Sequence, residues 1–255
     1  MYKIIKLLLG LLSFTANSYA NEPSDCIQTY SEGNYIHIAK INLNCKNLEL
    51  IASDAADNQT TVSNFAKKYQ TNVAINANFY MKNHQPIGLV ISNGKVWRGT
   101  KDTRFKAIFA CDKNNRCMIE DNNKITQTNP KWQVAISGWQ VYNAKLGKFE
   151  CPPKERTGCV AMGEAQHPRS MIGLDSSKSW LYLVVVEGRQ LGFSGYNLTE
   201  LAQLAQKLGI DQALNLDGGG SSTLVVGNKR LSKLPFMQMS ERTVANHFGV
   251  KARVN

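Results

Sequence analysis

The chain has 255 residues, 43% apolar and 19% charged, and 30 Lys and Arg outnumber 19 Asp and Glu to give a formal charge of +11. That length supports one large core, and the basic excess favours acidic partners such as phosphorylated or carboxylated glycans, anionic lipid or nucleic acid. Lys and Arg are scattered, with no aromatic-interleaved basic run, which argues against nucleic acid.

Lys3 and Lys6 precede an apolar run from Leu7 to Leu12, and Ser18-Tyr19-Ala20 has the small-residue form of a signal-peptidase site. Residues 1–20 therefore read as a secretory signal peptide, and residues 21–255 as one domain whose charge, after loss of two lysines and no acid, is +9. The apolar run is too short for a stable membrane anchor, and no later stretch reaches about 18 apolar residues. A secreted or periplasmic protein is expected. Six cysteines follow the cleavage site, and an even count in an oxidising compartment points to disulfides. Local pairing would join Cys26 to Cys45, Cys111 to Cys117 and Cys151 to Cys159, each closing a short loop, although sequence alone leaves other connectivities open. No CxxC spacing supports zinc.

In chain order, Tyr35–Ile41 and Leu48–Ile51 read as strands around Cys45, with His37 a sheet residue rather than a catalyst. A helix with a threonine cap follows from Thr61, its face formed by Val62, Phe65, Ala66 and Tyr69. Asn72–Tyr80 reads as a buried strand carrying Asn76 and Asn78 on one face, where both amides need partners from backbone or ligand. Pro86–Val96 gives a hairpin around Asn93-Gly94, with His84 in the loop before it. Residues 101–160 are less patterned, although Phe105–Cys111 and Val134–Gly138 look like strands.

Arg169 and Ser170 open another strand, and Trp180–Arg189 is an apolar strand ending at Glu187 and Arg189. Asn197 and Glu200 form a capping box for a helix faced by Leu198, Leu201, Ala202, Ala205 and Leu208 and stopped at Gly209. Gln212–Asp217 then alternates, with Asn215 and Asp217 on one face. This repeats the earlier order of helix, strand and polar pair, so two such units are expected to meet at one site. Asp217 leads into Gly218-Gly219-Gly220-Ser221-Ser222-Thr223 and a hairpin over Thr223–Leu231. A glycine turn between two strands disfavours a P-loop or dinucleotide site. Arg242–Val250 reads as a closing strand with Arg242 and Asn246 on one face. The expected fold is α+β, a strand-rich mixed sheet with two or three packed helices in a single domain stapled by disulfides.

There is no Gly-x-Ser-x-Gly elbow and no His-Glu-x-x-His helix, and the four histidines are dispersed. Carboxylates, amides and arginines remain, a set suited to glycosidic or phosphodiester bonds. Asn215–Thr223 closely resembles the signature of the phosphodiester glycosidase family. Asn76-Ala77-Asn78-Phe79-Tyr80 resembles its Asn-Gly-Gly-Phe-Phe element, Arg169–Gly173 its Arg-Thr-x-x-Gly element, and Glu187-Gly188-Arg189 its acidic-Gly-Arg turn. Arg242 with Asn246 resembles its closing strand. Asn78 departs from the family pattern, which often has glycine there.

The resemblance implies hydrolysis of a sugar-1-phosphodiester on an envelope, extracellular or host glycan; no cofactor and no metal are expected from the few, dispersed histidines. A divalent cation near Asp217 has no support from ligand spacing. Asp217 would be the leading catalytic carboxylate and Glu187 the second. Arg169 and Arg242 would hold phosphate, while Asn76, Asn78, Asn215, Asn246, Gly219, Gly220, Ser221 and Ser222 would orient the substrate. The competing reading is a non-catalytic glycan-binding or polysaccharide-processing protein using the same cleft.

Overall fold

The computed structural model describes residues 26–97, 107–120, 128–145 and 163–252. The signal-peptide segment and the expected Cys151–Cys159 pair lie outside them. In chain order the elements are β1 (Ile27–Glu32), β2 (Ile36–Asn42), β3 (Leu48–Ala52), α1 (Val62–Tyr69), β4 (Val73–Asn76), β5 (Ile91–Ser92) and β6 (Lys95–Val96). There follow β7 (Ala107–Asp112), β8 (Cys117–Glu120), β9 (Trp132–Asn143), β10 (Arg169–Leu174), β11 (Trp180–Val186) and α2 (Leu198–Lys207). The last are β12 (Gln212–Asn215), β13 (Leu224–Val226), β14 (Lys229–Arg230) and β15 (His247–Ala252).

The strand-rich α+β class is what the structure has, with the strands divided between two sheets. A ten-stranded sheet runs β1-β2-β11-β10-β12-β9-β5-β6, with β7 and β8 joined through β9, and a five-stranded sheet runs β14-β13-β4-β15-β3. All of these pairings are antiparallel. The main core lies between the sheets: Ile172, Leu183, Val185 and Leu214 from the large sheet meet Val73, Ile75, Leu224 and Phe248 from the small one. Leu198, Leu201 and Ala205 of α2 cover the outer face of the large sheet, while Phe65 and Ala66 of α1 cover that of the small sheet. Four layers result, helix on sheet on sheet on helix, because each sheet presents apolar side chains on both faces.

Local chemistry fixes the element ends. Thr61 accepts from the Asn64 amide at the start of α1, and Asn197 and Glu200 complete a capping box on α2. Asn93 and Gly94, both at positive φ, turn the β5–β6 hairpin. Disulfides Cys26–Cys45 and Cys111–Cys117 form as the spacing suggested. The first closes the longer loop and so constrains the unfolded chain more, by about 1 kcal/mol beyond the second.

Differences from the sequence reading fall at β1, β4 and β15 among others. Strand β1 went unseen because all but its first residue is at least partly open to solvent, an edge strand without a hydrophobic period. The strand expected over 72–80 ends at Asn76, because the next residue turns its backbone to other segments: Ala77 N–H bonds Asn246 O at 3.1 Å and Ala77 O accepts from Asp217 N–H at 2.9 Å. The closing strand starts at His247, not Arg242. Arg242 is instead exposed on an irregular approach, while Asn246 is buried, so the two do not share a strand face.

Candidate active site

The site lies where the chain passes from one sheet to the other. Strand β12 ends the large-sheet path, and after the single 3-10 turn Gly219–Ser221 the chain enters β13 in the small sheet. Strand β4 of the small sheet meets it there, since Asn76 Nδ2 donates to Asp217 O at 2.6 Å beside the Ala77–Asp217 backbone bond. The two helix-strand units therefore converge, as their shared pattern suggested. Glycine is required on this crossing for two reasons. Gly219 has φ +62°, and a Cβ on Gly218 would lie 2.8 Å from the backbone oxygen of Pro168.

Asp217 is half-buried on this turn. Burial raises its carboxyl to about 6, against the opposing pull of bonds from Ser221 and the Gly218 amide and of the Arg242 charge. A carboxyl group in that range exchanges protons near neutrality, as acid–base and nucleophilic chemistry requires. Arg242 and Arg189 are exposed on either side of the glycines, with an Arg189 Nη 3.2 Å from where a Gly219 Cβ would stand. Two guanidinium groups beside side-chain-free backbone make an anion-binding rim. His167 stays uncharged beside them: burial and the charges of Arg169 and Arg189 lower its pKa.

The four amides divide into two kinds. Asn76 Oδ1 accepts from Ser170 Oγ at 2.7 Å and from the Thr223 amide at 3.1 Å. Asn78 donates to Ile87 O, accepts from the Ser137 amide and exchanges bonds with Asn246, all at 2.9–3.0 Å. These three side chains are buried and spent on protein partners, so backbone and neighbouring side chains rather than a ligand satisfy Asn76 and Asn78. Asn215 is the opposite case. It is fully buried, and neither its Oδ1 nor its Nδ2 finds a partner. Ser222 Oγ, also buried, is in the same condition. Buried polar atoms without partners are costly, and at a cleft they mark positions a ligand can satisfy.

Two residues assigned from sequence have other surroundings. Glu187 ends β11 at the same edge of the sheet, yet its Oε1 accepts from the Lys233 amide and bonds His37 Nε2, both at 2.7 Å. Ser31 Oγ bonds the other nitrogen of His37 at 2.9 Å. His37, read as a sheet residue, thus also braces this acid. Arg169 is buried, with Nε and one Nη donating to Tyr196 O and Ala165 O; burial lowers its pKa to about 10. It ties the wall together while Arg189 and Arg242 hold the open rim.

Several contributors escaped residue-by-residue reading. Arg189 lay within the acidic-Gly-Arg match, and Phe79 and Tyr80 within the match over residues 76–80. Gln238 donates to Gly220 O at 3.0 Å, and Tyr80 Oη lies 3.3 Å from Ser221 Oγ with its ring stacked on His84. Trp139 is paired with Asn215 across β9 and β12, and its ring stands 5.3 Å from that of Phe79. Gln238 and Trp139 have no motif around them. No group of three or more His, Cys, Asp or Glu side chains suited to a metal occurs among the described residues.

A carboxylate on a glycine turn beside two exposed guanidinia is an arrangement suited to an anionic ligand. Residues 69–251 match the phosphodiester glycosidase family, and the chain belongs to it. Among characterised sequences, the bovine N-acetylglucosamine-1-phosphodiester alpha-N-acetylglucosaminidase is 28% identical over 71% of this chain and 36% of its own length. The SPbeta prophage-derived uncharacterized protein YomE of Bacillus subtilis is 27% identical over 69% of this chain and 28% of its own. The match thus spans about a third of these relatives. Among solved structures, the catalytic domain of the zebrafish N-acetylglucosamine-1-phosphodiester alpha-N-acetylglucosaminidase, auto-inhibited by its pro-peptide, superposes with TM-score 0.70 at 22% identity. It covers 89% of this chain and 82% of that one. A putative exported protein of Burkholderia pseudomallei gives TM-score 0.65 at 14% identity, over 85% and 73%. These likenesses establish the shared fold.

Proposed function

We propose that the protein is a secreted or periplasmic hydrolase that cleaves a sugar-1-phosphodiester between the anomeric carbon and the bridging phosphate oxygen, on an envelope, extracellular or host glycan. Water adds to the carbon and a phosphate monoester departs. The observation that carries this reading is Asp217, a carboxylate with its pKa raised to about 6 on the turn that Arg189 and Arg242 flank. The guanidinia hold the phosphate and stabilise the charge it gains on leaving. Because such a leaving group needs little protonation, one carboxylate suffices to meet the oxocarbenium charge or activate water. Asn215 and Ser222 supply unspent hydrogen bonds for sugar and phosphate oxygens, and Phe79 with Trp139 offers an aromatic wall to a sugar ring. Glu187 acts through His37 and the Lys233 amide as a brace. The two disulfides accord with an oxidising compartment.

Sugar release from a panel of sugar-1-phosphodiesters tests the reading. Asp217→Asn is expected to lose about a thousandfold or more in kcat, and the wild-type pH profile should show an inflection near 6 that the variant lacks. A falling rate below that inflection assigns Asp217 as base or nucleophile; a falling rate above it assigns an acid. Turnover surviving in Asp217→Asn removes the assignment, and tight glycan binding without turnover replaces the enzyme with a binding protein.

A further inference from the structure

The rim beside the glycine turn carries apolar side chains that the proposed hydrolysis leaves unused. Phe236, Met237 and Met239 are 61%, 84% and 97% exposed, and Leu191, on the neighbouring hairpin tip, is 76% exposed. Single exposed apolar residues are ordinary, but four on two adjoining loops form a patch that calls for a partner. These loops are fastened in place. Phe236 N–H donates to Arg189 O at 3.0 Å, Gln190 Nε2 to Leu234 O at 2.8 Å, and Gln238 Nε2 to Gly220 O and Ser240 O. The same segment thus displays three large apolar side chains outward while its one amide side chain reaches inward to the turn.

Charge identifies what the patch meets. Exposed Lys233, Arg189 and Arg242 border it, within a chain carrying a net +11. Glu241, the acid of this segment, is turned away onto Ser63, bonding its hydroxyl at 2.6 Å and its amide at 3.0 Å. Apolar tips surrounded by cations fit a lipid surface of opposite charge: the tips enter the boundary between headgroups and acyl chains, and the cations meet anionic headgroups. No helix among the described residues is long and apolar enough to cross a membrane, so such binding would be peripheral.

We propose that the loop Leu234–Ser240 and the Leu191 tip dock the protein on an anionic lipid bilayer, with the glycine turn facing the membrane surface. Docking rests on the rim alone and not on the hydrolytic reading, although the two together would direct the site toward phosphodiesters carried on that surface.

Co-sedimentation of the full chain with phosphatidylcholine vesicles, with and without about 30 mol% phosphatidylglycerol, provides the test. Binding is expected with the anionic vesicles and weak with the neutral ones. The triple variant Phe236→Ser, Met237→Ser, Met239→Ser should lower the partition coefficient by about tenfold or more, and added salt should weaken wild-type binding. Turnover of a soluble sugar-1-phosphodiester should be unchanged in the triple variant, and Asp217→Asn should bind vesicles like wild type, so docking and catalysis fail separately. An absence of anionic-vesicle binding, an undiminished partition in a folded triple variant, or a concentration-dependent dimer abolished by the same substitutions would overturn the proposal. The last result would assign the patch to a second copy of the chain.

Discussion

Two helix-strand units, α1 with β4 and α2 with β12, deliver similar polar pairs to one place and use them in opposite ways. Asn76 and Asn78 are buried with every bond directed at the protein, joining β4 to Ser170, Ser137, Thr223 and Asn246. Asn215 is buried with no bond, and Asp217 beside it has its pKa displaced by burial. Satisfied polar groups rigidify a fold, whereas unsatisfied ones cost stability and persist where binding or chemistry uses them. The first unit is frame and the second is instrument.

The largest effect that would break this comparison is on the frame. Asn78→Ala strands the Ser137 amide, the Ile87 carbonyl and Asn246, and should cost about 3–5 kcal/mol in urea unfolding. A loss under about 1 kcal/mol would mean that the bonds are dispensable and the division false.

Acid sensitivity sharpens the comparison, because the two regions respond with opposite signs. His247, paired with Asn76 across β15 and β4, is pushed by burial from 6.5 to about 4. Between those values the unfolded chain takes up a proton that the folded one refuses, so stability falls by roughly 2–3 kcal/mol as pH drops through that window. Asp217, raised from 3.8 to about 6, is protonated first in the folded chain, so its contribution rises as pH falls through that lower window. The opposed terms should leave wild-type stability nearly flat between pH 6.5 and 4. Asp217→Asn should expose the slope from His247, and His247→Gln should expose the reverse one, in unfolding measured at pH 7 and pH 4.5.

The smallest effect belongs to the instrument. At pH 7, Asn215→Leu and Asp217→Asn should each unfold no more readily than wild type and gain about 1 kcal/mol, since the first removes a buried amide without partners and the second a carboxylate whose charged form burial disfavours. Both should lose turnover. Destabilisation by Asn215→Leu would show that its amide has a structural partner.

How much of this was legible in sequence varied with the range of the interaction involved. Helices α1 and α2 were readable because apolar spacing and the caps at Thr61 and Asn197 are local signals. Strand β11, the Asn93-Gly94 turn and the two short disulfide loops were readable for the same reason. The turn at the candidate site was legible too, since an acid followed by three glycines has a backbone cost that packing alone does not explain. Local patterns did not reveal which distant groups hold a given side chain. Nothing near Arg169 foretells that its guanidinium turns inward to Tyr196 O and Ala165 O, and nothing near Glu187 foretells His37.

The sequence by itself determined the two repeated units, the family and the glycine turn, because these reside in residue order over a few turns or strands of chain. Only the tertiary structure decided that the turn crosses between two sheets, that Asn76 and Asn78 are frame while Asn215 stays unsatisfied, and that Arg189 rather than Arg169 reaches the rim. The physical reason is that burial and hydrogen-bond satisfaction are properties of a neighbourhood. Here the neighbours come from segments far apart in the chain, as when Asn76 is held by residues 94, 141 and 147 positions away.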